Sequence, residues 1–179
     1  MLIQDYTADW LTDFNELKKV LHEALFDLTV SIEHVGSTSI PELAAKPIID
    51  IDLVFSSRLE FHELTKRLRK IGYYHNGNQG IPNREVFKRD TITAKHPVLD
   101  FISHHLYACP TDSEELQKHI LFRDYLSRNK EARIYYQTLK YEIADEAKQD
   151  RKKYAQLKER KASDFINHII EIAKNTNAT

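Results

Sequence analysis

Two aspartates separated by one residue, Asp50 and Asp52, are the clearest candidates for chemistry in this sequence. They lie in an apolar run that predicts a β-strand, and we place them at the end of that strand. Because side chains alternate along a strand, both carboxylates face one side, with Cα atoms about 6.6 Å apart. Two carboxylates at this spacing can share one or two hard cations. A pair of solvent-exposed acids at a strand end is the alternative.

A turn of small and hydroxyl-bearing residues, Gly36-Ser37-Thr38, precedes this strand. Glycine lets the backbone approach a ligand closely, and the two hydroxyls can bond phosphate oxygens. If a helix begins here, its free N–H groups form an anion site. The turn and the acid pair together predict a phosphate site beside a metal site. An ordinary turn with local Ser and Thr hydrogen bonds is the alternative.

Several cations and one histidine extend the candidate site. Lys46 lies between the turn and the acid pair and can contact phosphate as a point charge, although it can equally be an exposed lysine. Arg123, Lys140 and Lys158 can reach phosphate from the second half of the chain, and Arg123 can equally form an ion pair with its neighbour Asp124. His34, just before the turn, is a candidate for ligand contact or for a structural role.

The segment HVGSTSIPELAAKPIIDIDLV resembles the core motif of the GrpB family (UPF0157), which belongs to the nucleotidyltransferase superfamily. HHLYAC at 104–109 and FRDYL at 122–126 extend the resemblance into the second half of the chain. The superfamily pattern is a Gly-Ser turn, an acidic-x-acidic strand and a third acid on a later strand. In one respect the chain departs from the family, because Glu42 stands where the family usually has glycine.

The third acid is harder to assign. Residues 97–109, with VLDFISHHLYAC after the proline, read as one long extended run and contain Asp100, the natural candidate. By strand alternation, however, Asp100 and His105 face opposite sides, so both cannot line one site without a bulge. We rank His105 above Asp100 for proximity to the site and leave the third carboxylate open.

The periodicity of the apolar residues, and the prolines and glycines that interrupt it, predict an α+β fold. Together with the resemblance, they imply a nucleotidyltransferase-like mixed β-sheet with flanking helices and a C-terminal helical bundle packed on it. Before Pro110 we expect helices near 10–27 and 58–71 and strands near 29–35, 73–75 and 84–90, besides the strand of the acid pair. After Pro110 the chain reads as three helices, near 113–126, 130–146 and 150–174. We treat residues 1–179 as a single domain, with an α/β core at 1–110 and a helical part at 111–179.

Composition limits the classes of function. The chain has 179 residues, one cysteine, a net charge of −1 and a sequence pI of about 6.8. A nucleic-acid partner is therefore not expected, since such footprints are far more basic. The absence of a long apolar run and of a signal-like N-terminus predicts a cytoplasmic protein without a membrane partner. Residues 1–64 carry an excess of acids and residues 65–179 an excess of basic residues.

Taken with the resemblance, these features predict a metal-dependent nucleotidyltransferase. Asp50 and Asp52 would be the catalytic, metal-binding residues for Mg²⁺ or Mn²⁺, and Gly36, Ser37 and Thr38 would hold nucleotide phosphates. The partners would be a nucleotide and an unknown small-molecule or macromolecular acceptor. A non-catalytic nucleotide- or metabolite-binding accessory protein of the same fold is the alternative, and hydrolysis or phosphate transfer at the same metal site is a third reading.

Overall fold

A five-stranded mixed sheet lies at the centre of the chain. The structure is a computed structural model that describes residues 1–92 and 94–177. Its strands are β1 (Ser31–Val35), β2 (Ile49–Phe55), β3 (Tyr73–His75), β4 (Glu85–Arg89) and β5 (His104–Pro110), in the order β1-β2-β5-β4-β3. β2 and β5 are parallel, and the other neighbouring pairs in the sheet are antiparallel.

Six helices surround this sheet, so the predicted mixed sheet with flanking helices and a C-terminal bundle is confirmed. They are α1 (Asp9–Ala24), α2 (Arg58–Lys70), α3 (Pro97–Phe101), α4 (Glu114–Arg128), α5 (Lys130–Glu146) and α6 (Arg151–Asn177). Local caps fix several of the starting points. Ser57, Ser113 and Asn129 each accept a hydrogen bond from a backbone N–H in the first turn of α2, α4 and α5, respectively.

The first hydrophobic core covers one face of the sheet. Ile49, Ile51 and Leu53 of β2 are almost fully buried there, against apolar residues of α1, α2 and α3. Because strand residues alternate, Asp50 and Asp52 must face the opposite side, toward the helices α4 to α6. The placement of the acid pair thus follows from which face of β2 carries the isoleucines.

The second core joins the C-terminal helices to segments from the start of the chain. Leu2, Ile3, Ile40 and Leu43 are buried with apolar residues of α4, α5 and α6, including Tyr136. Gln4 and Ala45 form an isolated antiparallel bridge that ties two of these segments together. The segment that follows the Gly-Ser turn is therefore built into the helical core.

The predicted extended run at 97–109 is wrong in its first part. Residues Pro97–Phe101 form the short helix α3, and only His104–Pro110 are strand. His96 caps this helix by accepting hydrogen bonds from the N–H groups of Val98 and Leu99, and proline suits the first helical position. Since Asp100 is on a helix, the conflict of strand alternation between Asp100 and His105 disappears.

No helix in the described part of the chain is long and apolar enough to cross a bilayer.

Candidate functional site

The acid pair lies near the start of β2, since the strand runs on to Phe55. Placing the pair at the strand's end was therefore wrong, although the shared face is as expected. In the register of the sheet, Asp50 lies opposite Val35 of β1 and His105 of β5. Asp52 lies opposite Glu33 and Tyr107.

Asp52 is fully buried and, among the described residues, only one of its two carboxylate oxygens has a hydrogen-bond partner. Its Oδ2 accepts a hydrogen bond from His119 Nδ1 of α4 at 2.7 Å. Its Oδ1 has no hydrogen-bond partner within the described part of the chain. Burial alone would lower the pKa of His119, but the hydrogen bond to Asp52, aided by the nearby Glu115, raises it. Because a buried, unpaired carboxylate oxygen is costly, Oδ1 is a position where a missing ligand would bind.

Asp50 sits at the open side of the pair, held between a histidine and a glycine. His105 Nδ1 donates to Asp50 Oδ1 over 2.8 Å. Gly36 approaches from the other side with φ 72° and ψ −172°, a backbone region essentially restricted to glycine. A Cβ added to Gly36 would lie 2.3 Å from Asp50 Oδ2. Glycine is thus required twice, by its backbone angles and by the carboxylate beside it.

We expect Gly36→Ala to lower the free energy of unfolding by roughly 1–3 kcal/mol from backbone strain alone, and to displace the Asp50 carboxylate. Chemical denaturation measures the first effect. Gly77→Ala is the matched control, because Gly77 also has positive φ but open space where the Cβ would lie. If the two variants lose the same stability and Gly36→Ala binds ligand normally, the close approach to Asp50 has no functional weight.

The Gly-Ser turn forms one 3₁₀ turn, Ser37–Ser39. The Ser39 hydroxyl donates to the Gly36 carbonyl at 2.6 Å, and the buried Thr38 hydroxyl lies 3.1 Å from His34 Nε2. The Ser37 hydroxyl makes no hydrogen bond within the residues that the structure describes, although Ser37 lines the cleft. Ser37 is therefore the hydroxyl of this turn that is free to bind a ligand.

His34 has a structural environment. Its ring stacks on Phe14 with 4.4 Å between the ring centroids. Burial lowers the pKa of His34 to about 4, so the imidazole is neutral at physiological pH. Its visible role is to hold the Thr38 hydroxyl, and through it the turn.

A cleft of about 520 Å³ opens between the acid-bearing face of the sheet and the helices α4, α5 and α6. Eight of the residues predicted for the site line it: Gly36, Ser37, Thr38, Lys46, Asp50, His105, Lys140 and Lys158. The aromatic side chains Phe122, Tyr136 and Tyr154 contribute to the helical wall. The volume is in the range that holds a drug-sized or nucleotide-sized ligand.

Three lysines from three different segments converge on this cleft. Lys46 Nζ lies 4.8 Å from the centroid of the Tyr154 ring, and the buried Lys140 donates to the Ala44 carbonyl. Burial and the charge of Lys158 lower the pKa of both Lys46 and Lys140, and Asp50 only partly opposes this. Clustered ammonium groups with so little negative charge nearby are expected at an anion-binding site.

Four of the predicted residues are not among those that line the cleft: the buried Asp52, His34, Arg123 and Asp100. The guanidinium of Arg123 bonds Glu33 and the backbone oxygen of His34, both at 3.0 Å, and also bonds its neighbour Asp124. Arg123 is not among the residues that line the cleft, so it supports β1 instead of reaching phosphate.

Asp100 is likewise outside the cleft. Its carboxylate accepts hydrogen bonds from Arg89 and from the His96 backbone N–H, and the latter chiefly lowers the pKa of Asp100. It is therefore not a third acid of this site, and His105 and Tyr107 occupy the positions on β5 that face the pair.

The donor set at the acid pair fits Mg²⁺ or Mn²⁺. Within residues 1–92 and 94–177, no group of three or more His, Cys, Asp and Glu side chains is arranged to hold a metal ion by itself. Mg²⁺ is commonly bound by only one or two carboxylates, with water and substrate phosphates completing its shell. The unpaired oxygen of Asp52 and the cleft-facing Asp50 match that requirement.

The charged and imidazole side chains of the cleft that sequence reasoning missed are Arg84, Glu115, Lys118 and His119. The last three lie on α4, which packs its first turns over β5 and so brings His119 to Asp52. A glutamate four residues before a histidine on a predicted helix was the available signal. That signal is weak, because it does not indicate which strand the helix covers.

The mixed sheet and its flanking helices have a nucleotidyltransferase-like fold. The chain superimposes on a crystal structure of the Cid1 poly(U) polymerase with MgGTP bound, with a TM-score of 0.57 and 13% sequence identity. The match covers 80% of this chain and 44% of the Cid1 chain. At that identity the likeness establishes the fold alone.

The family model of the GrpB protein matches residues 1–171, and the chain therefore belongs to the GrpB family. It is 30% identical over 139 residues to the UPF0157 protein YqkA of Bacillus subtilis, covering 78% of this chain and 38% of YqkA. The chain thus spans well under half the length of that relative. The crystal structure of conserved protein GrpB from Enterococcus faecalis matches with a TM-score of 0.78 and 29% identity, covering 99% of both chains.

Proposed function

We propose that this chain is a metal-dependent nucleotidyltransferase that transfers a nucleotidyl group from a nucleoside triphosphate to an acceptor. One observation carries the proposal. A carboxylate pair lies beside a glycine-serine turn: Asp52 is buried with one oxygen unpaired among the described residues, and Asp50 lines the same cleft as three lysines. Carboxylates suit a divalent cation and lysines suit a polyphosphate, and a triphosphate with its cation needs both.

Within this proposal Asp50 and Asp52 hold Mg²⁺ or Mn²⁺. When bound, the metal would neutralise charge on the phosphates and on the departing pyrophosphate. The two carboxylates alone would repel a triphosphate, so without the cation nucleotide binding should be weak.

The protein's own groups position the polyphosphate. The free Ser37 hydroxyl and the backbone of the turn would contact it, and Lys46, Lys140 and Lys158 would supply positive charge around the same cleft. In the transfer step an acceptor oxygen forms a bond to the α-phosphorus. The bond from that phosphorus to the bridging oxygen breaks, and pyrophosphate leaves with the electron pair. The acceptor proton leaves to a base, and the half-exposed His105 imidazole is the nearest candidate.

We expect Ser37→Ala to weaken binding of a nucleoside triphosphate with Mg²⁺ by roughly ten- to a hundredfold. The variant removes one hydrogen bond to a charged group, which is worth about 1.5–3 kcal/mol. Calorimetry with ATP, GTP, CTP and UTP measures the effect. Ser39→Ala is the matched control, because the Ser39 hydroxyl is already bonded to Gly36 within the turn. Equal affinity of Ser37→Ala and wild type for every nucleotide would exclude the turn as a phosphate site.

A non-catalytic nucleotide-binding protein is the second candidate, and one observation favours it. The strand beside the acid pair offers His105 and Tyr107 at the facing positions, where a third carboxylate would lie in the superfamily pattern. A site with two carboxylates can bind a metal–nucleotide complex without being arranged to activate an acceptor.

Pyrophosphate release distinguishes the two candidates. The protein is incubated with each labelled nucleoside triphosphate, Mg²⁺ and a mixture of small metabolites, and pyrophosphate and labelled products are followed. Turnover that depends on Asp50 supports transfer. Binding that depends on Mg²⁺, without release of pyrophosphate in any mixture, supports the accessory binding role.

A further inference from the structure

The cleft continues past the acid pair to a second end that the nucleotide proposal does not use. Arg84, Tyr107 and Lys118 line this end. Arg84 directly precedes β4, whereas the Gly-Ser turn directly follows β1. In the sheet order β1-β2-β5-β4, Arg84 and the Gly-Ser turn therefore lie on opposite sides of the acid-bearing strand β2. Three strand spacings separate β1 from β4, a distance of roughly 14 Å.

Arg84 is held in place without being paired. Its guanidinium carbon lies 4.8 Å from the centroid of the Tyr107 ring, in a cation–π contact. Its Nε is buried and has no hydrogen-bond partner within the described part of the chain. Such an orphaned donor is uncommon in folded proteins and indicates a missing acceptor.

Other partly buried arginines of this chain are satisfied. Arg89 bonds Asp100, Arg123 bonds Glu33, and Arg133 bonds Glu42. Each of them links two segments of the fold through a carboxylate. Arg84 differs because it is stacked on a ring, faces a cleft and has no carboxylate of its own.

The surroundings of Arg84 add one more donor and a balancing acid. Lys118 reaches Glu115 only at 3.5 Å, the limit of a hydrogen bond, and lines the same cleft. Glu115 is also 3.6 Å from His119 Nε2, so its carboxylate is shared between two neighbours and is not reserved for Lys118. This end therefore presents a planar arginine fork with a lysine nearby, which suits an oxyanion.

We propose that this end of the cleft binds the acceptor, and that the acceptor is a small molecule recognised through a carboxylate or phosphate group on Arg84. That the bound molecule is an acceptor rests on the proposed function, whereas the oxyanion site at Arg84 does not. Bound there, the acceptor approaches the acid pair from the β4 side, whereas the Gly-Ser turn lies on the β1 side. The arginine holds the recognition group, and the attacking oxygen is the one that extends toward Asp50.

The test observes Arg84 directly by nuclear magnetic resonance. The arginine Nε–H signals of the full chain are recorded, and that of Arg84 is identified by its loss in Arg84→Lys. Inorganic phosphate and acetate are titrated separately, with chloride as the control anion. We expect a saturable shift of the Arg84 signal with phosphate, acetate or both, and the stronger response identifies the chemical class. The Arg89 signal, already bonded to Asp100, is the internal control and should stay in place.

Anion binding at Lys46 and Lys158 must be excluded from the measurement. In a Lys46→Met/Lys158→Met background the Arg84 shift should persist. In the same background Arg84→Gln should weaken calorimetric binding of the preferred anion by about tenfold or more, with Arg84→Lys intermediate. An Arg84 signal that responds to neither anion, or no more than it does to chloride, overturns the proposal. A separate titration of wild type with Mg²⁺ and ATP tests the proposed function, so that either idea can fail alone.

Discussion

Asp50→Asn should abolish nucleotidyl transfer while leaving the fold intact. Asparagine keeps the shape of aspartate, and its side-chain oxygen can still accept the hydrogen bond from His105 Nδ1 that Asp50 accepts. What is lost is a negative charge at the metal site. A loss of several kcal/mol of transition-state stabilisation lowers the rate by roughly a hundred- to a thousandfold. Pyrophosphate release under saturating nucleotide measures it, and Mg²⁺ calorimetry with nucleotide should show weakened binding in parallel.

Asp112→Asn is the control for this change. Asp112 is exposed in the turn before α4, so its loss alters net charge equally without touching the cleft. Asp52→Asn is the less clean variant, because Asp52 is buried against His119 and its neutralisation also disturbs that pair. If Asp50→Asn binds Mg²⁺ and nucleotide as tightly as wild type, the metal site is wrongly assigned.

The double variant Lys46→Met/Lys158→Met should lose most of its affinity for a nucleoside triphosphate and gain or keep thermal stability without ligand. Two charge-assisted contacts at about 1.5–3 kcal/mol each correspond to a hundredfold loss or more. The ligand-free fold, in contrast, is relieved of the repulsion that Lys46 and Lys158 exert on the buried Lys140. Calorimetry measures the first effect and thermal melting the second. A loss of affinity without a loss of stability would identify these lysines as a binding cluster and not as a structural one.

Lys130→Met/Lys152→Met is the matched control, since both lysines are exposed on the helices and the same two charges are removed. Equal loss of affinity in the two double variants would mean that net charge alone attracts the nucleotide. A large loss of stability in Lys46→Met/Lys158→Met would instead assign the two lysines to the fold.

The lysine cluster also determines how binding depends on pH. Burial, with the charges of Lys158 and Lys46, lowers the pKa of Lys140 well below its ordinary value of 10.5. Between its folded pKa and 10.5, the folded chain binds fewer protons than the unfolded chain, so stability of the ligand-free fold rises with pH across that window. A polyphosphate restores the charged lysine, so binding should take up protons and weaken as pH rises. Calorimetry in two buffers with different ionisation enthalpies should detect the uptake, which should shrink in the double variant.

The elements that carry strong local signals were predictable from the sequence. Alternation along β2 placed Asp50 and Asp52 on one face, because the neighbouring Ile49 and Ile51 could be buried only on the other. The glycine at position 36 was predictable as well, because glycine lets a backbone approach another group closely. By comparison, the family's usual glycine at position 42 is glutamate here, and Glu42 adopts φ 64°, with its carboxylate bonded to Arg133.

Side chains that reach the site from distant segments could not be predicted. His119 meets Asp52 only because α4 packs over β5, which is a fact of tertiary packing. Asp100 was misplaced because a proline and apolar residues read as a strand, whereas His96 caps a single helical turn there. The charge of Arg123 made it a reasonable candidate for a phosphate contact, but its guanidinium donates a hydrogen bond to the carboxylate of Glu33.

The bridge between Gln4 and Ala45 has a consequence for how a ligand of the proposed function would reach the cleft. The segment around Ala44 connects the Gly-Ser turn to the acid strand, yet its backbone is bonded by Gln137 and Lys140 of α5 and its apolar side chains lie in the helical core. Separating the two walls of the cleft would break these bonds and expose that core. Ligands must then enter and leave by reorienting side chains at the mouth. Such steps take picoseconds to nanoseconds, whereas an enzyme that closes about a hinge waits microseconds to milliseconds.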